Sequence, residues 1–407
     1  MTGIPPGWES TTLGALGRYL NGRAFKKNEW STRGRPIIRI QNLTGSGASY
    51  NYFEGDVEER YVARPGDLLV SWAATLGAYI WSGPEAVVNQ HIFKVESNID
   101  RRFHKYLIDY KLGELMEHSH GSGMVHITRS RFDALPVAVP PLEEQQRIVT
   151  ILDDHLSRLD AAEELMRTSQ RRLNVMDRAV IDDVMVRRAE ESGWPVVSLG
   201  ELVGDKRTMT DGPFGSHLTS AHYSAAGAQV VRLQNIGDGQ YKEAAAFIPL
   251  DHYSSLEKHN VVEGDVVVAS LGDNLPRAAV VPDLGGPAIV KADCIRVRLP
   301  EQVEAQWVVL ACRSSRAKHW ARDRLHGVGR QRLGLGGIRD IPVPFPPSPA
   351  VRRSALEWMC DQLDNSILLR SDLDQELKRA EALRRSLLAA AFAGELTSGY
   401  EPEEGVA

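Results

Sequence analysis

The sequence is poor in cysteine and lacks any long apolar run. Its 407 residues contain three cysteines, Cys294, Cys312 and Cys360, without paired or CxxC spacing. Such usage is typical of reduced thiols in the cytoplasm. No apolar stretch approaches the ~20 residues that a membrane helix needs, and the N-terminus lacks the pattern of a secretory leader. We therefore expect a cytoplasmic protein without a membrane segment or disulfides.

Motifs for catalysis are also missing. There is no GxxxxGK[ST] loop for a triphosphate and no N/D-P-P-Y/F stretch of the kind that amino-methyltransferases carry. Glu376 and Lys378 have the E-x-K spacing of a nuclease metal site, but they lie in a segment with helical periodicity. No cysteine or carboxylate set completes a coordination sphere around the histidines at 118, 120 and 126. The sequence predicts no enzymatic activity, no metal and no cofactor, and a cryptic nuclease is disfavoured.

Charge is unevenly distributed along the chain. The formal net charge is −5, but residues 1–40 carry seven basic and two acidic side chains, and residues 313–339 carry eight basic side chains and one acidic. Acidic residues concentrate at 142–191, with twelve acidic and eight basic side chains. Clustered positive charge is typical of surfaces that bind phosphate groups, although a solvated basic face gives the same pattern.

The sequence contains an internal repeat. Three motifs recur in the same order: WESTTLG at 8–14 as WPVVSLG at 194–200, RIQNL at 39–43 as RLQNI at 232–236, and PGD at 65–67 as EGD at 263–265. The offset grows from 186 residues at the first motif to 198 at the third. A steady increase is expected for two diverged copies with small insertions.

A proline-rich phrase precedes a long proline-free stretch in each copy. The phrases are LPVAVPP at 135–141 and IPVPFPPSP at 341–349. Proline favours extended backbone before it and supplies no N–H, so each phrase should end a lobe. Beyond the first phrase, apolar residues recur at steps of three and four, as at Ile148, Leu152 and Met176. This spacing predicts a heptad seam on a helix of some forty-five residues.

These observations predict an α+β fold with a pseudo-twofold internal repeat. We expect two mixed α/β lobes separated by two long antiparallel coiled-coil helices. The expected boundaries are residues 1–141 for the first lobe, 142–190 for the first helix, 191–347 for the second lobe, 348–394 for the second helix and 395–407 for a C-terminal tail.

In the order of its motifs the chain resembles the specificity (S) subunit of type I restriction-modification systems. The resemblance covers nearly the whole chain and includes WESTTLG, an I-x-N strand at 40–43, the PGD turn, GSGMVH at 121–126 and PPLEEQ at 140–145. The second copy has PSPAV at 347–351 where PPLEEQ would stand. A family loop is matched by DGPFGS at 211–216, whereas the first copy has NGRAFKK at 21–27 there.

The resemblance implies a function in DNA recognition. Each lobe would be a target recognition domain that binds one half of a bipartite site on double-stranded DNA, and the two different lobes would recognise two different sequences. Two methyltransferase (M) subunits would dock on the helices, with a restriction/translocase (R) subunit in the full complex. The alternatives are the recognition subunit of a related two-lobe modification or phage-defence enzyme, and a protein-binding coiled-coil spacer.

Candidate DNA contacts fall in both lobes. Phosphate contacts, which position a protein without specifying sequence, are expected from Lys26, Lys27, Arg33, Arg35, Arg322 and Arg324. Base contacts are expected from GVGRQR at 327–332, because Arg330, Gln331 and Arg332 carry donors that suit guanine and adenine edges.

Further candidates have a structural alternative. The repeated motif offers base or phosphate contacts, or else caps a turn, through Arg39, Gln41, Asn42, Arg232, Gln234 and Asn235. His126, Arg129 and Arg131 are expected in a polar loop that faces DNA, with a plain surface loop as the alternative. The resemblance adds Phe214 and Ser216 of the DGPFGS loop.

Overall fold

The computed structural model of the chain describes residues 4–47, 49–73, 75–117, 128–327 and 330–398. It mixes helices with short strands, so the predicted α+β class is confirmed. The chain divides into two compact units, Met1–Met166 with Gln375–Ala407, and Arg167–Asp374. This division passes through both long helices, and the boundaries expected from the sequence remain a prediction. Among the described residues, no helix combines the length and apolar character needed to cross a bilayer.

The first lobe is built from short strands in small sheets. In chain order they are β1 Glu9–Thr12, β2 Gly17–Asn21, β3 Arg35–Ile38, β4 Asn51–Phe53, β5 Val62–Ala63, β6 Leu68–Ser71, β7 Gly77–Ile80, β8 Ala86–Val88, β9 Ile92–Ser97 and β10 Pro136–Val139. Two sheets have the orders β2-β9-β6-β7 and β4-β3-β8-β5, and β1 pairs with β10. The helices of this lobe are α1 Ile40–Leu43, α2 Arg101–Glu117 and α3 Arg129–Asp133. The strand expected at 40–43 is therefore wrong, because these residues form a single helical turn after β3.

The first long helix, α4, spans Leu142–Asp182 and begins directly after the proline phrase. It continues through a π-helical turn, Asp183–Arg188, into α5, Ala189–Glu191. Glu143 and Glu144 occupy its first turn, where carboxylates interact favourably with the free backbone N–H groups.

The second lobe repeats the plan of the first. Its strands are β11 Val196–Ser198, β12 Met209–Thr210, β13 Ala228–Val231, β14 Phe247–Ile248, β15 Val266–Ala269, β16 Arg277–Val280, β17 Ala288–Val290, β18 Cys294–Val297 and β19 Pro342–Pro344. Two sheets have the orders β12-β18-β15-β16 and β14-β13-β17, and β11 pairs with β19. The helices are α6 Leu199–Val203, α7 Leu250–Ser255, α8 Ala305–Arg313, α9 Ser315–Arg322, α10 Leu335–Arg339 and the second long helix, α11 Pro349–Phe392.

The repeated glycine–aspartate turn has the same geometry in both lobes. Gly66 and Gly264 have positive φ angles of 91° and 82°, a backbone conformation that glycine adopts without strain. The carboxylates of Asp67 and Asp265 each accept a hydrogen bond, at 2.9 Å, from the backbone N–H three residues earlier. The motif therefore recurs because it builds the same turn twice.

In the first unit, the segment that contains Phe392 and Thr397 packs against the first lobe and the start of α4. The Glu144 carboxylate accepts hydrogen bonds from Trp8 Nε1 at 3.2 Å and from Thr397 Oγ1 at 2.7 Å. The Phe392 ring lies 5.5 Å from that of Phe103. Glu144 is thus more than a favourable charge at a helix start, because it joins three segments that are distant in sequence.

Within each unit the two long helices run antiparallel and exchange ion pairs. In the first unit Arg384 pairs with Asp160 and Glu163. In the second unit Arg370 donates to Asp177 Oδ2 at 2.6 Å and to Asn174 Oδ1 at 2.6 Å. Later residues of one helix therefore face earlier residues of the other.

The predicted apolar seam of α4 is interrupted. Ile148 and Leu152 are fully buried, as expected, and so is Ile181 at 1% exposure. Met176, by contrast, is 59% exposed, so its predicted place in the seam is wrong. The inter-helix contact beside Met176 is the ion pair between Asp177 and Arg370. The facing helix thus offers a charged side chain here, where burial of Met176 would need an apolar one.

A buried histidine links α2 to the sheet of the first lobe. His104 is fully buried, its Nε2 lies 2.8 Å from the Tyr19 hydroxyl, and its Nδ1 lies 2.9 Å from Ser97 Oγ. Burial lowers the pKa of His104 from 6.5 to about 4. The imidazole is therefore neutral at pH 7.

Stability of the first unit should fall in mild acid because of His104. Between pH 6.5 and 4 the unfolded chain takes up a proton that the folded chain excludes, which lowers the free energy of unfolding by up to ~3 kcal/mol. His104→Gln should lose this dependence while being less stable at pH 7. Calorimetric melting from pH 7 to pH 4.5 measures the effect, with exposed His155→Gln in the same unit as the control. Parallel pH curves for wild type and His104→Gln would contradict the assignment.

Candidate nucleic-acid interface

The segment that contains Arg330 folds as a hairpin on the second lobe. The backbone N–H of Arg332 donates to the His326 carbonyl at 2.9 Å, and His326 donates back at 3.1 Å. The Gln331 carbonyl accepts from the Gly272 N–H at 3.0 Å, which ties the hairpin to the segment after β15. The side chains of Arg330, Gln331 and Arg332 are exposed. Val328 and Gly329 lie outside the described residues.

Arg332 connects the hairpin to the DGPFGS loop. Its guanidinium pairs with the Asp293 carboxylate, and its Cζ lies 5.8 Å from the centre of the Phe214 ring. Phe214 is 48% exposed, and Ser216 is exposed in the same loop. Two segments that the sequence identified separately are therefore neighbours in the fold.

A polar cavity lies beside the hairpin. Its volume is about 480 Å³, and Asn274, Lys318, Arg322 and Gln331 are among the residues that line it. Lys318 Nζ donates to the carbonyl of Asn274 at 2.8 Å and pairs with Asp238 at 3.2 Å. Burial lowers the pKa of Lys318. This lysine holds the cavity wall, whereas Arg322 is exposed.

The exposed residues around the hairpin form one surface. We term it the hairpin surface, and it consists of Phe214, Arg322, Arg330, Gln331 and Arg332. It combines three guanidinium groups, an amide and an aromatic ring, a set suited to phosphates and base edges. Arg324 is less available than predicted, because its guanidinium lies 4.6 Å from the Trp320 ring and donates to the Trp320 carbonyl at 3.1 Å.

A second acidic residue near this surface, Asp211, is partly buried. The Asp211 carboxylate accepts hydrogen bonds from the backbone N–H groups of Gly212 at 2.8 Å and Asp293 at 2.9 Å. Burial, the largest influence, raises the pKa of Asp211 to about 6. Through these hydrogen bonds Asp211 holds the backbone at Gly212 and at Asp293 in place.

The repeated asparagines are used inside the lobes. Asn235 is fully buried; its Oδ1 accepts from the Arg232 N–H at 2.8 Å, and its Nδ2 donates to the carbonyls of Lys242 and Ala244 at 2.9 and 3.1 Å. Asn42 makes the corresponding three hydrogen bonds in the first lobe. For these two residues the structure favours the turn-capping alternative over direct contact with DNA.

The other residues of the repeated motif are partly accessible. Gln234 is exposed, and Gln41 is half-buried. Arg232 donates to the Ala244 carbonyl at 3.2 Å, and the Arg39 guanidinium lies 5.6 Å from the Trp30 ring. Both arginines thus combine a role inside the lobe with partial exposure.

Several predicted phosphate contacts of the first lobe are in ion pairs. Arg33 pairs with Glu54 at 2.8 Å, and Arg35 pairs with Glu85 at 3.1 Å. Lys26 and Lys27 are exposed. A bound phosphate would therefore compete with a carboxylate for the two arginines, but exposed ion pairs are weak and easily exchanged.

Arg129 packs against aromatic rings of the first lobe, although 44% of its side chain remains exposed. Its guanidinium lies 5.2 Å from the Tyr19 ring and 4.8 Å from the Phe93 ring, and it pairs with Asp133 at 2.6 Å. Arg131 is exposed on the same short helix. His126 lies outside the described residues, so its predicted position in a DNA-facing loop stays a prediction.

Comparison with known proteins shows which family the chain is similar to. Residues 5–168 match the family model described as the type I restriction modification DNA specificity domain. The chain is 22% identical to the EcoBI specificity subunit of Escherichia coli, over 98% of this chain and 88% of that protein. It is 21% identical to the MjaVIII specificity subunit of Methanocaldococcus jannaschii, over 95% of this chain and 92% of that protein. Over nearly its whole length the chain is similar to type I restriction-modification specificity subunits. The resemblance predicted from the motifs is confirmed.

The fold agrees with this family. One solved structure describes the structural basis of complex assembly and conformational transition of the type I R-M system. A chain in that structure matches this chain with a TM-score of 0.69. The match covers 97% of this chain and 99% of that chain at 17% identity. The two chains therefore share a fold along nearly their whole length.

Sequence reasoning missed Asp293, and its counterpart in the first lobe is His91. Asp293 precedes β18, and His91 holds the same place before β9. The segments VNQH at 88–91 and VKAD at 290–293 are topological equivalents that share only their first residue type. This equivalence is visible only once the strands are known, so the residue types alone carry no signal for Asp293.

The capping role of Asn235 can be separated from a recognition role by mutation. Asn235→Ala removes three buried hydrogen bonds and should lower the stability of the second unit by about 2–4 kcal/mol. Gln234→Ala, at the exposed neighbour, should change stability by less than about 0.5 kcal/mol. Thermal unfolding of both variants is the measurement. An Asn235→Ala variant with unchanged melting and altered DNA preference would restore the asparagine as a DNA contact.

Proposed function

We propose that this chain is the DNA sequence-recognition subunit of a type I restriction-modification complex and that each lobe binds one half of a bipartite site. The hairpin surface is the observation that carries the proposal for the second lobe. Arginine and glutamine make bidentate contacts with guanine and adenine in the major groove. A hairpin held by backbone hydrogen bonds presents three such side chains from adjacent positions.

The first lobe contributes a different surface, and so a different half-site. Lys26 and Lys27 contact phosphates there, and Arg33 and Arg35 join them when their carboxylate partners are exchanged. Where the second lobe has Phe214 and Arg332, the first lobe has the loop NGRAFKK and the segment around Arg129. Because the side chains differ at equivalent positions, the two halves of the DNA site differ in sequence.

The long helices set the spacing between the half-sites and dock two methyltransferase subunits. The 41 residues of α4 span about 60 Å at ~1.5 Å per residue. Large apolar side chains are exposed on both helices, among them Leu165, Val175, Met176, Leu368 and Leu369. Exposed apolar patches of this kind support a protein partner. A restriction/translocase subunit joins the full complex.

In this assignment the chain recognises DNA and its partners carry out the chemistry. Two relatives of almost the same length are specificity subunits, which supports a non-catalytic role. Glu376, the acidic member of the E-x-K pair, forms an ion pair with Arg379 one turn further along α11. That contact gives the pair an ordinary structural explanation.

Methylome sequencing tests the proposed function directly. A host that expresses the partner methyltransferase should show methylation at a bipartite DNA site when this chain is present and none at that site when its gene is deleted. The control is a plasmid copy of the gene, which should restore the same site. Methylation that persists unchanged without the chain would refute the assignment.

The spacing role predicts the effect of lengthening both helices. Seven residues inserted between Met166 and Arg167, and seven between Asp374 and Gln375, preserve the ion pairs inside each unit. The insertion adds ~10 Å of helix, or about three base pairs at ~3.4 Å each. The methylated site should gain about three base pairs between unchanged half-sites.

An insertion into α4 alone is the matched control for this experiment. It puts the facing helices out of register and should abolish methylation through misfolding. If the doubly extended chain folds and methylates with the original spacing, the helices do not set the distance between the half-sites.

A further inference from the structure

Asp293 is held in an unusual backbone conformation beneath the hairpin surface. Its φ angle is 71°, a left-handed conformation that aspartate and asparagine tolerate better than most residues. Its N–H donates to Asp211 Oδ1 at 2.9 Å, and its carbonyl accepts from the Ser270 N–H at 2.9 Å. Two neighbouring segments thus fix the place from which the carboxylate projects.

The Asp293 carboxylate restrains the one arginine of the hairpin surface that also contacts an aromatic ring. Arg332 is fixed at its backbone by the exchange with His326, and its guanidinium is held between Asp293 and Phe214. The Arg332 side chain is 46% exposed, whereas that of Asp293 is 20% exposed. The carboxylate therefore supports the guanidinium from the protein side and leaves it accessible to solvent.

Such restraint matters for reading a base. A free arginine loses much rotamer freedom when it binds, and a guanidinium fixed in advance avoids most of that loss. The guanidinium has five N–H donors, so a carboxylate on one side leaves donors for the O6 and N7 atoms of guanine. A nearby carboxylate also repels phosphate, which weakens binding to every DNA sequence alike.

We propose that Asp293 is a specificity-determining positioning residue that holds Arg332 for contact with a guanine in the half-site of the second lobe. The proposal rests on the proposed function, since it presumes that this lobe recognises DNA. Asp293 acts through Arg332 and does not itself contact the base. The device belongs to the second lobe, because the equivalent residue of the first lobe is His91, which packs 5.4 Å from the Trp72 ring.

The test uses the chain in complex with its partner methyltransferase, after the bipartite site of the wild type has been mapped. The probes are synthetic duplexes that carry the mapped site or a single base-pair change at each half-site position. The measured quantity is the ratio of methylation rates on the cognate and changed duplexes. The variants are Asp293→Asn, Arg332→Ala and the double mutant. Asparagine suits the left-handed backbone, so Asp293→Asn removes the charge with little change in fold.

Asp283→Asn is the matched control. It removes one negative charge from an exposed loop of the same lobe, where the Asp283 carboxylate likewise accepts a backbone hydrogen bond, from Gly285 at 2.8 Å. Melting temperatures of all variants separate misfolding from a loss of recognition.

Arg332→Ala should lower discrimination at one G·C position of one half-site by about 10- to 100-fold. Asp293→Asn should lower it at the same position by about 3- to 10-fold, and the double mutant should equal Arg332→Ala, because the aspartate acts only through the arginine. Ratios at the other half-site should not change. Asp283→Asn should leave every ratio unchanged.

Three results would overturn the inference while leaving the proposed function intact. The first is an unchanged ratio of methylation rates in Asp293→Asn, with or without tighter binding to all DNA. The second is an unchanged ratio in Arg332→Ala. The third is a double mutant that discriminates less than Arg332→Ala. If the wild-type complex showed no preference for any bipartite site, the proposed function itself would fail, and this inference with it.

Discussion

Each lobe completes its core only with apolar side chains from both long helices. In the first unit Ile148 and Leu152 of α4 and Ala391 of α11 belong to one buried cluster with the lobe. In the second unit Ile181 and Met359 play the same part. Buried apolar area provides most of the driving force for folding. A substitution in either shared cluster therefore destabilises the lobe and the helices together. The helices are therefore structural parts of the lobes as well as connections between them.

The proposed recognition surfaces share one electrostatic feature, in which some of the basic side chains are already paired with carboxylates. Arg33, Arg35 and Arg332 each contact an acidic side chain. This arrangement reconciles a net charge of −5 with a surface for a polyanion, because the positive charge is local and its partners are exchangeable. It also limits indiscriminate binding, since a phosphate that contacts one of these three arginines must first displace a carboxylate.

Features set by local sequence were predictable, and features set by distant contacts were not. The repeated glycine–aspartate turn and the start of α4 follow from motifs of a few residues. The exposure of Met176 depends on which side chains the other helix offers nearly two hundred residues later, and a heptad pattern does not contain that information. The same holds for Glu144, whose partners Trp8 and Thr397 are far away in sequence. In the candidate site, Arg332 could be chosen by its chemistry, but Asp293 emerges only when β17 and β18 are placed beside the hairpin.

The discontinuity of the first unit has a consequence for biosynthesis. Its core contains Ala391, although most of its residues precede Arg167. At about 5–20 residues per second, the ribosome needs tens of seconds to deliver that last segment after the first lobe has been made. The second unit, Arg167–Asp374, is continuous and can close earlier. During this interval the apolar surface that later receives Ala391 and Phe392 is open to chaperones and to aggregation.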